Sequence, residues 1–326
     1  MKILVCGAHL PFAIDGPELH TTTLVGELRA AGHLAELVRL PAAADGFRSL
    51  DARLAWRLVP LDADLVVCTD VPSCFASNAN KVAWLSHLDL DPHGHSVDAS
   101  REVDRLAKDW DDQALREARH VFTTSGAAAD RLLHVNGLLA EPLPHPPPLH
   151  DRLRPGPFGD YILVPPPLGP GARPDLFVSA LAHSSSPVRL VVAGAGPMHS
   201  ALVELAAAAG TVDRLELTGQ VDDDQLVDLY AGACAVACAP SAEDQRPLTQ
   251  AFFAGKPVVT SVGSRPLDWV VDGVTAVVTD GTPRSIGKAY DTLAADSGLA
   301  RAMGDAGHER VAGLAWSSVL DALLAA

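Results

Sequence analysis

The feature that most restricts this chain is an alternation of short apolar runs with helix-length amphipathic runs, carried through once, interrupted, and then carried through again. Residues 2–7, 34–40, 63–68, 81–85 and 120–124 read as strands of the first series. They are almost continuously apolar, as in Ile3-Leu4-Val5-Cys6, the composition of strands covered on both faces. Between the first two, residues 19–32 space Leu19, Thr23, Leu24 and Leu28 on one helical face and stop at Gly32. Strand, helix, strand in this order predicts a parallel sheet with helices on both sides.

The interruption is a crowd of prolines: Pro142, Pro144, Pro146, Pro147, Pro148, Pro155 and Pro157. Proline fixes φ and removes a donor, so this stretch reads as a linker. A second series follows at 160–164, 188–193, 215–218, 234–238, 257–260 and 276–278. The chain of 326 residues, 48% apolar, is long enough for two cores. The expectation is two Rossmann-like domains, 1–150 and 151–326, with parallel sheets facing an interdomain cleft, and a last helix near Trp316–Leu324 crossing back to the first domain.

A formal charge of −15 repels polyanions, so nucleic acid is not an expected partner. No basic face for anionic lipid is visible, and no run of 18 uncharged apolar residues provides a membrane span. The first apolar stretch is too short for a signal peptide. Cys6, Cys68, Cys74, Cys234 and Cys238 show no metal or redox spacing. A cytoplasmic location with reduced thiols is expected, and no metal. The acidity favours a small soluble partner, although it also serves solubility alone.

In open α/β sheets ligands bind beyond the carboxyl ends of the strands, so the loops there carry the chemistry. The first, Leu10–His20, holds Gly16 and leads into a helix whose N-terminus attracts anions, or is an ordinary connection. The second, Gly194-Ala195-Gly196-Pro197, suits a backbone lying under a nucleotide or sugar, and equally suits helix capping. The third runs from Pro240 to Val259: a polar loop, a short apolar helix, a stop at Gly255, then a buried strand.

In order and spacing these segments resemble the retaining, nucleotide-sugar-dependent glycosyltransferases of family 4, which have the GT-B fold. The most specific stretches are Gly219–Ala233, Ala254-Gly255-Lys256-Pro257-Val258-Val259-Thr260 and Met303-Gly304-Asp305-Ala306-Gly307. Gly16-Pro17-Glu18-Leu19-His20 followed by Glu27–His33 adds to them. The resemblance implies a nucleotide-sugar donor held on the C-terminal side without a metal or other cofactor, and a small polar acceptor on the N-terminal side. Glu243 matches a carboxylate that contacts the transferred sugar, and His87 a histidine near it; these are the implied catalytic residues. Gly16, Arg131, Arg173, Gly196, Val221, Arg246, Leu248, Thr249 and Gln250 are implied on the donor side, with Asp15 and His20 on the acceptor side. Arg265 and Asp268 fall in a loop that in relatives faces the sugar.

The chain also departs from the pattern. Proline and alanine, within Pro165–Ala172, stand where relatives carry a phosphate-binding arginine and lysine. Each charge-assisted phosphate contact is worth about 1.5–3 kcal/mol, so donor binding is expected to be weakened. Arg173 is placed to substitute, or is a solvated helix-start arginine. Asp15 replaces one of two adjacent glycines. Gln250 stands where a second glutamate binds ribose, and only six residues separate it from Glu243. Arg246 either supplies replacement charge or blocks the sugar pocket. Three readings follow: a retaining glycosyltransferase, a catalytically degenerate GT-B protein serving as a ligand-binding or partner subunit, and a transferase with an unusual donor. The sequence leaves open a homo-oligomer or a partner enzyme.

Overall fold

The computed structural model describes residues 1–9, 16–41, 50–85, 101–239, 245–261 and 269–326. Asp15, His87, Glu243, Arg265 and Asp268 lie outside the described residues. Contacts divide the chain into unit 1, Met1–His145 with Ala315–Ala326, and unit 2, Pro146–Leu314.

Unit 1 holds a six-stranded parallel sheet: β1 (Lys2–His9), β2 (Leu34–Pro41), β3 (Leu65–Cys68), β4 (Lys81–Leu85), β5 (His120–Thr123) and β6 (Glu141–Pro142), in the order β2-β1-β3-β4-β5-β6. Its helices are α1 (Gly16–Ala30), α2 (Leu50–Leu58), α3 (Arg101–Arg116) and α4 (Gly126–Asn136). Side chains alternate across a strand, and the core follows that period. Ile3 and Val5 pack with Leu24 and Leu28 of α1. Leu4 and Cys6 face the other way, against Trp56 of α2, Leu115 of α3 and Leu132 of α4. The last helix, α11 (Trp316–Ala325), sets Trp316, Val319, Leu320 and Leu323 into the α1 side of this core.

The proline-rich stretch begins as structure rather than as linker. Glu141 and Pro142 pair in parallel with β5, and the Leu143 amide donates to Thr123 O at 2.7 Å. An edge strand tolerates proline because one row of its backbone groups needs no partner.

Unit 2 repeats the plan with β7 (Tyr161–Val164), β8 (Arg189–Val192), β9 (Leu215–Leu217), β10 (Ala235–Ala237), β11 (Val258–Ser261) and β12 (Ala276–Thr279), ordered β12-β11-β10-β7-β8-β9 and parallel throughout. Its helices are α5 (Pro174–Ala180), α6 (His199–Ala209), α7 (Asp223–Gly232), α8 (Arg246–Phe253), α9 (Pro283–Ala295) and α10 (Ser297–Val311). Ile162 and Val164 face Phe177, Leu202 and Tyr290. Leu163 faces Tyr230, Leu248 and Phe252. No helix among the described residues is long and apolar enough to cross a membrane.

Candidate functional site

In unit 2 the neighbouring order β10-β7-β8-β9 lines up four loops along one edge of the sheet. These hold Pro165–Arg173 after β7, Gly194–Gly196 after β8, Thr218–Asp222 after β9 and Gln245–Arg246 leading into α8. The fold knits the first three together. The Gly194 amide donates to Gly219 O at 3.0 Å. A Cβ at Gly196 would stand 2.7 Å from Leu168 O and 2.9 Å from Leu168 Cβ. Glycine at 196 is therefore required by the approach of the first two loops, with or without a ligand.

Val221 follows β9 and is half-buried against Tyr230, Leu248 and their neighbours. Asp222 caps α7 with a full capping box: its carboxylate accepts from the Gln225 amide at 2.8 Å, and Gln225 Oε1 accepts from the Asp222 amide at 3.0 Å. That cap fixes where the loop ends and the helix begins.

Helix α8 carries four of the sequence candidates. Arg246, half-buried, opens it, and Pro247 at its second position suits a first turn that lacks amide partners. Leu248 is fully buried and belongs to the core, which leaves it no surface for a ligand. Thr249 is buried and its hydroxyl donates to Gln245 O and Arg246 O at 3.2 and 3.1 Å. Gln250, 8% exposed, has both ends of its amide engaged. Tyr230 Oη donates to Gln250 Oε1 at 3.2 Å, and Gln250 Nε2 donates to Pro148 O at 3.1 Å. A carboxylate has no hydrogen to give Pro148 O, so this geometry selects the amide.

Arg173 lies in the left-handed region, φ 51°, just before α5. Its exposed guanidinium pairs with Asp175, Nε to Oδ1 at 3.2 Å. The cation next to the substituted Pro165–Ala172 stretch is thus half-neutralised by its own neighbour. Lys256 is fully buried. Its ammonium donates to Gly156 O at 3.1 Å and Pro157 O at 2.6 Å, and sits 4.2 Å from the Phe158 ring. Burial lowers its pKa to about 8, against Cys234 acting upward. Gly304 approaches the Gly255 carbonyl so closely that any side chain there would collide with it. Two of the stretches that carry the family resemblance therefore hold α8, α10 and residues 155–158 together.

In unit 1, Gly16 is the first residue of α1. His20, one turn further on, is 5% exposed and lies among rings: Trp84 at 4.3 Å and His145 at 5.0 Å between centroids. Trp316 of α11 closes the group, 5.2 Å from His145 and 6.0 Å from Trp84. Neither His20 nitrogen makes a hydrogen bond. Burial holds its pKa well below the usual histidine value, and His145 adds to this. The Trp84 backbone opposes it without reaching hydrogen-bond geometry. Arg131 is half-buried on α4 with Nε enclosed and unpartnered.

Sequence reading missed Tyr230 and Pro148, the partners that decide what Gln250 does, and Asp70. Asp70, at the end of β3, accepts the Ala8 amide at 2.5 Å and the Ser73 amide at 2.8 Å. Its signal was its position directly after a buried strand. Among the described residues no group of three or more His, Cys, Asp or Glu is placed to hold a metal.

Two six-stranded parallel sheets in this topology define the GT-B fold of glycosyltransferases. Residues 159–310, within unit 2, match the family model described as glycosyl transferases group 1. The D-inositol 3-phosphate glycosyltransferase of Mycolicibacterium smegmatis is 35% identical over 167 residues, 48% of this chain and 37% of that protein. Its namesake from Mycolicibacterium vanbaalenii is 38% identical over 130 residues, 38% of this chain and 28% of that protein. The match thus spans about a third of these relatives' length. Among solved structures, a sucrose-phosphate synthase from Thermosynechococcus elongatus superposes with a TM-score of 0.74 at 18% identity, covering 99% of this chain and 97% of that one. Anabaena HepE in complex with UDP gives 0.76 at 15% identity, covering 99% and 98%.

Proposed function

We propose that this protein is a retaining glycosyltransferase of family 4, moving a sugar from a nucleoside-diphosphate donor to a small polar acceptor. The observation that carries the reading is the glycosyl transferases group 1 match over 159–310, which contains every loop of unit 2 described above. Unit 2 holds the donor and unit 1 the acceptor. The nucleotide sugar is a substrate, and the reading invokes no resident cofactor. Departure of the nucleoside diphosphate leaves an oxocarbenium-like sugar. Charge developing on the leaving phosphate is met by Arg246 and by the amides that open α8. Glu243 and His87 act at the sugar. UDP bound to HepE supports a nucleotide on this fold.

Calorimetric titration with UDP, GDP and ADP, followed by assay of the matching UDP-, GDP- and ADP-glucose, tests the reading. Binding and donor consumption are expected, and Arg246→Ala is expected to abolish turnover. Unchanged turnover in that variant removes Arg246 from the mechanism.

A second reading, a ligand-binding or auxiliary GT-B protein or a transferase with an unusual donor, is favoured by two bonds. Gln250 is engaged with Tyr230 and Pro148, and Arg173 with Asp175. Neither is left poised for a nucleoside diphosphate. Silence toward all three nucleotides, with binding of a sugar 1-phosphate, decides for it.

A further inference from the structure

The carboxyl ends of the strands serve the proposed chemistry, but unit 1 has a concavity at the opposite, amino ends of β5 and β6. Its volume is about 580 Å³, within the roughly 300–1,000 Å³ of small-molecule sites. The wall is apolar: Leu115 from the end of α3, Val121 from β5, and Leu138 and Ala140 from the connection between α4 and β6. Leu139 in the same wall is 81% exposed, a large apolar surface left facing water.

The polar groups are cationic on balance. Arg116 and Arg119, both exposed, and His120 stand on the lining, against a single carboxylate, Glu141. Glu141 is occupied by His120, Oε2 to Nε2 at 3.1 Å. Among the described residues the Arg119 side chain makes one long contact, 3.5 Å to Asn80, and the Arg116 side chain makes none. A chain of net charge −15 has thus gathered two exposed guanidinium groups beside an apolar wall, Arg116 in the last turn of α3, where the helix dipole favours a cation, and Arg119 three residues on. Guanidinium is the side chain best suited to a carboxylate or phosphate, by its planar fork of donors. The end of α3 offers carbonyls here rather than amides, so an anion is held by these side chains and not by backbone.

We propose that this pocket binds a soluble small molecule with one acidic group on an apolar body, the acid meeting Arg116 and Arg119 and the body covering Leu115, Val121, Leu138 and Leu139. It lies wholly within unit 1, at the amino ends of β5 and β6, so it does not depend on the glycosyltransferase reading.

Dodecanoate and dodecyltrimethylammonium, each below its micellar concentration, titrated by calorimetry into the full chain, test it. Saturable binding of the anion, and not of the cation, is expected. The double variant R116E/R119E, which changes only exposed side chains, is expected to weaken the anion by about tenfold or more. Ala140→Trp, filling the wall, is expected to weaken it while leaving nucleotide binding by unit 2 unchanged. Equal binding of anion and cation, no binding of either, or an affinity untouched by the charge reversal overturns the proposal. So does arginine-dependent sedimentation with phosphatidylglycerol vesicles without dodecanoate binding, which would make the surface a membrane contact.

Discussion

The two units share a plan but treat buried polar groups differently. His20, Arg131 and Asn136 each enclose an atom with no hydrogen-bond partner, and all three belong to unit 1. Unit 2 has no such atom among its described residues. There the amide of Gln250, the hydroxyls of Tyr230 and Thr249, and the ammonium of Lys256 all find partners within the unit. An unsatisfied buried group costs about 1–3 kcal/mol. Unit 1 therefore carries polar capacity that its own fold leaves unused, while the amide of Gln250, the hydroxyls of Tyr230 and Thr249 and the ammonium of Lys256 in unit 2 are engaged within that unit. The difference teaches that the described polar groups of unit 2 are spent on its own packing, and that unit 1 encloses atoms its own fold leaves without a hydrogen-bond partner.

The largest test of that contrast restores the acid that the family resemblance leads one to expect. In Gln250→Glu, one carboxylate oxygen still accepts from Tyr230, but the other faces Pro148 O with no hydrogen between them. A charge is also placed at an 8% exposed position. A loss of about 3–5 kcal/mol is expected from a buried charge facing an acceptor, measured by urea unfolding. A variant that stays within about 1 kcal/mol of the parent even at about pH 8, where a carboxylate is hardest to keep protonated, would mean that water reaches position 250 and that its bonds to Tyr230 and Pro148 are dispensable.

Gly196→Ala sharpens the same point with a smaller effect. The added Cβ would meet Leu168 O and Leu168 Cβ, and Leu168 is itself buried and cannot swing away. About 1–3 kcal/mol is expected, the usual cost of overpacking, with nucleotide affinity falling as the loops after β7 and β8 separate. Full stability would show that these loops give way easily.

How much of this was legible in the sequence depends on how far apart the deciding residues lie. Ile3-Leu4-Val5-Cys6 announced a strand buried on both faces, and it divides between two cores as its period requires. That signal is local. Glu141-Pro142 was not legible as a strand, because its pairing depends on β5, some 20 residues away, and proline spoke against it. The Gln250 substitution was visible, but its meaning was not, since Pro148 is 102 residues distant. Arg173 was weighed as a substitute cation. Its left-handed backbone and its pairing with Asp175 are local, yet no pattern of residue types distinguishes them from a free arginine. The resemblance found the right fold through Lys256, Pro257 and Gly304, but what those residues do here is pack the linker and two helices. Family motifs mark a shared fold more securely than they mark a shared chemistry.

The smallest expected effect lies in unit 1 and is read as a slope. Among the described residues, the rings of Trp84 and His145 face His20, with Trp316 behind them; burial, and then His145, keep the His20 imidazole neutral. In the unfolded chain it takes up a proton below its ordinary pKa of about 6.5. The unfolded state then binds more protons than the folded one, so stability falls as pH drops below that value, by at most about 1.4 kcal/mol per pH unit for one such group. His20→Phe keeps a ring in the cluster and removes the titration. The variant is expected to be flatter than the parent between about pH 6.5 and 5. Fluorescence-monitored unfolding suits the measurement, because Trp56, Trp84, Trp110 and Trp316 all report on unit 1 and only Trp269 on unit 2. If parent and variant keep the same slope, the histidine is already charged or already partnered in the folded protein. Unit 1 would then be as well satisfied at this point as unit 2, and the contrast between them would rest on the remaining enclosed atoms of unit 1, those of Arg131 and Asn136 among them.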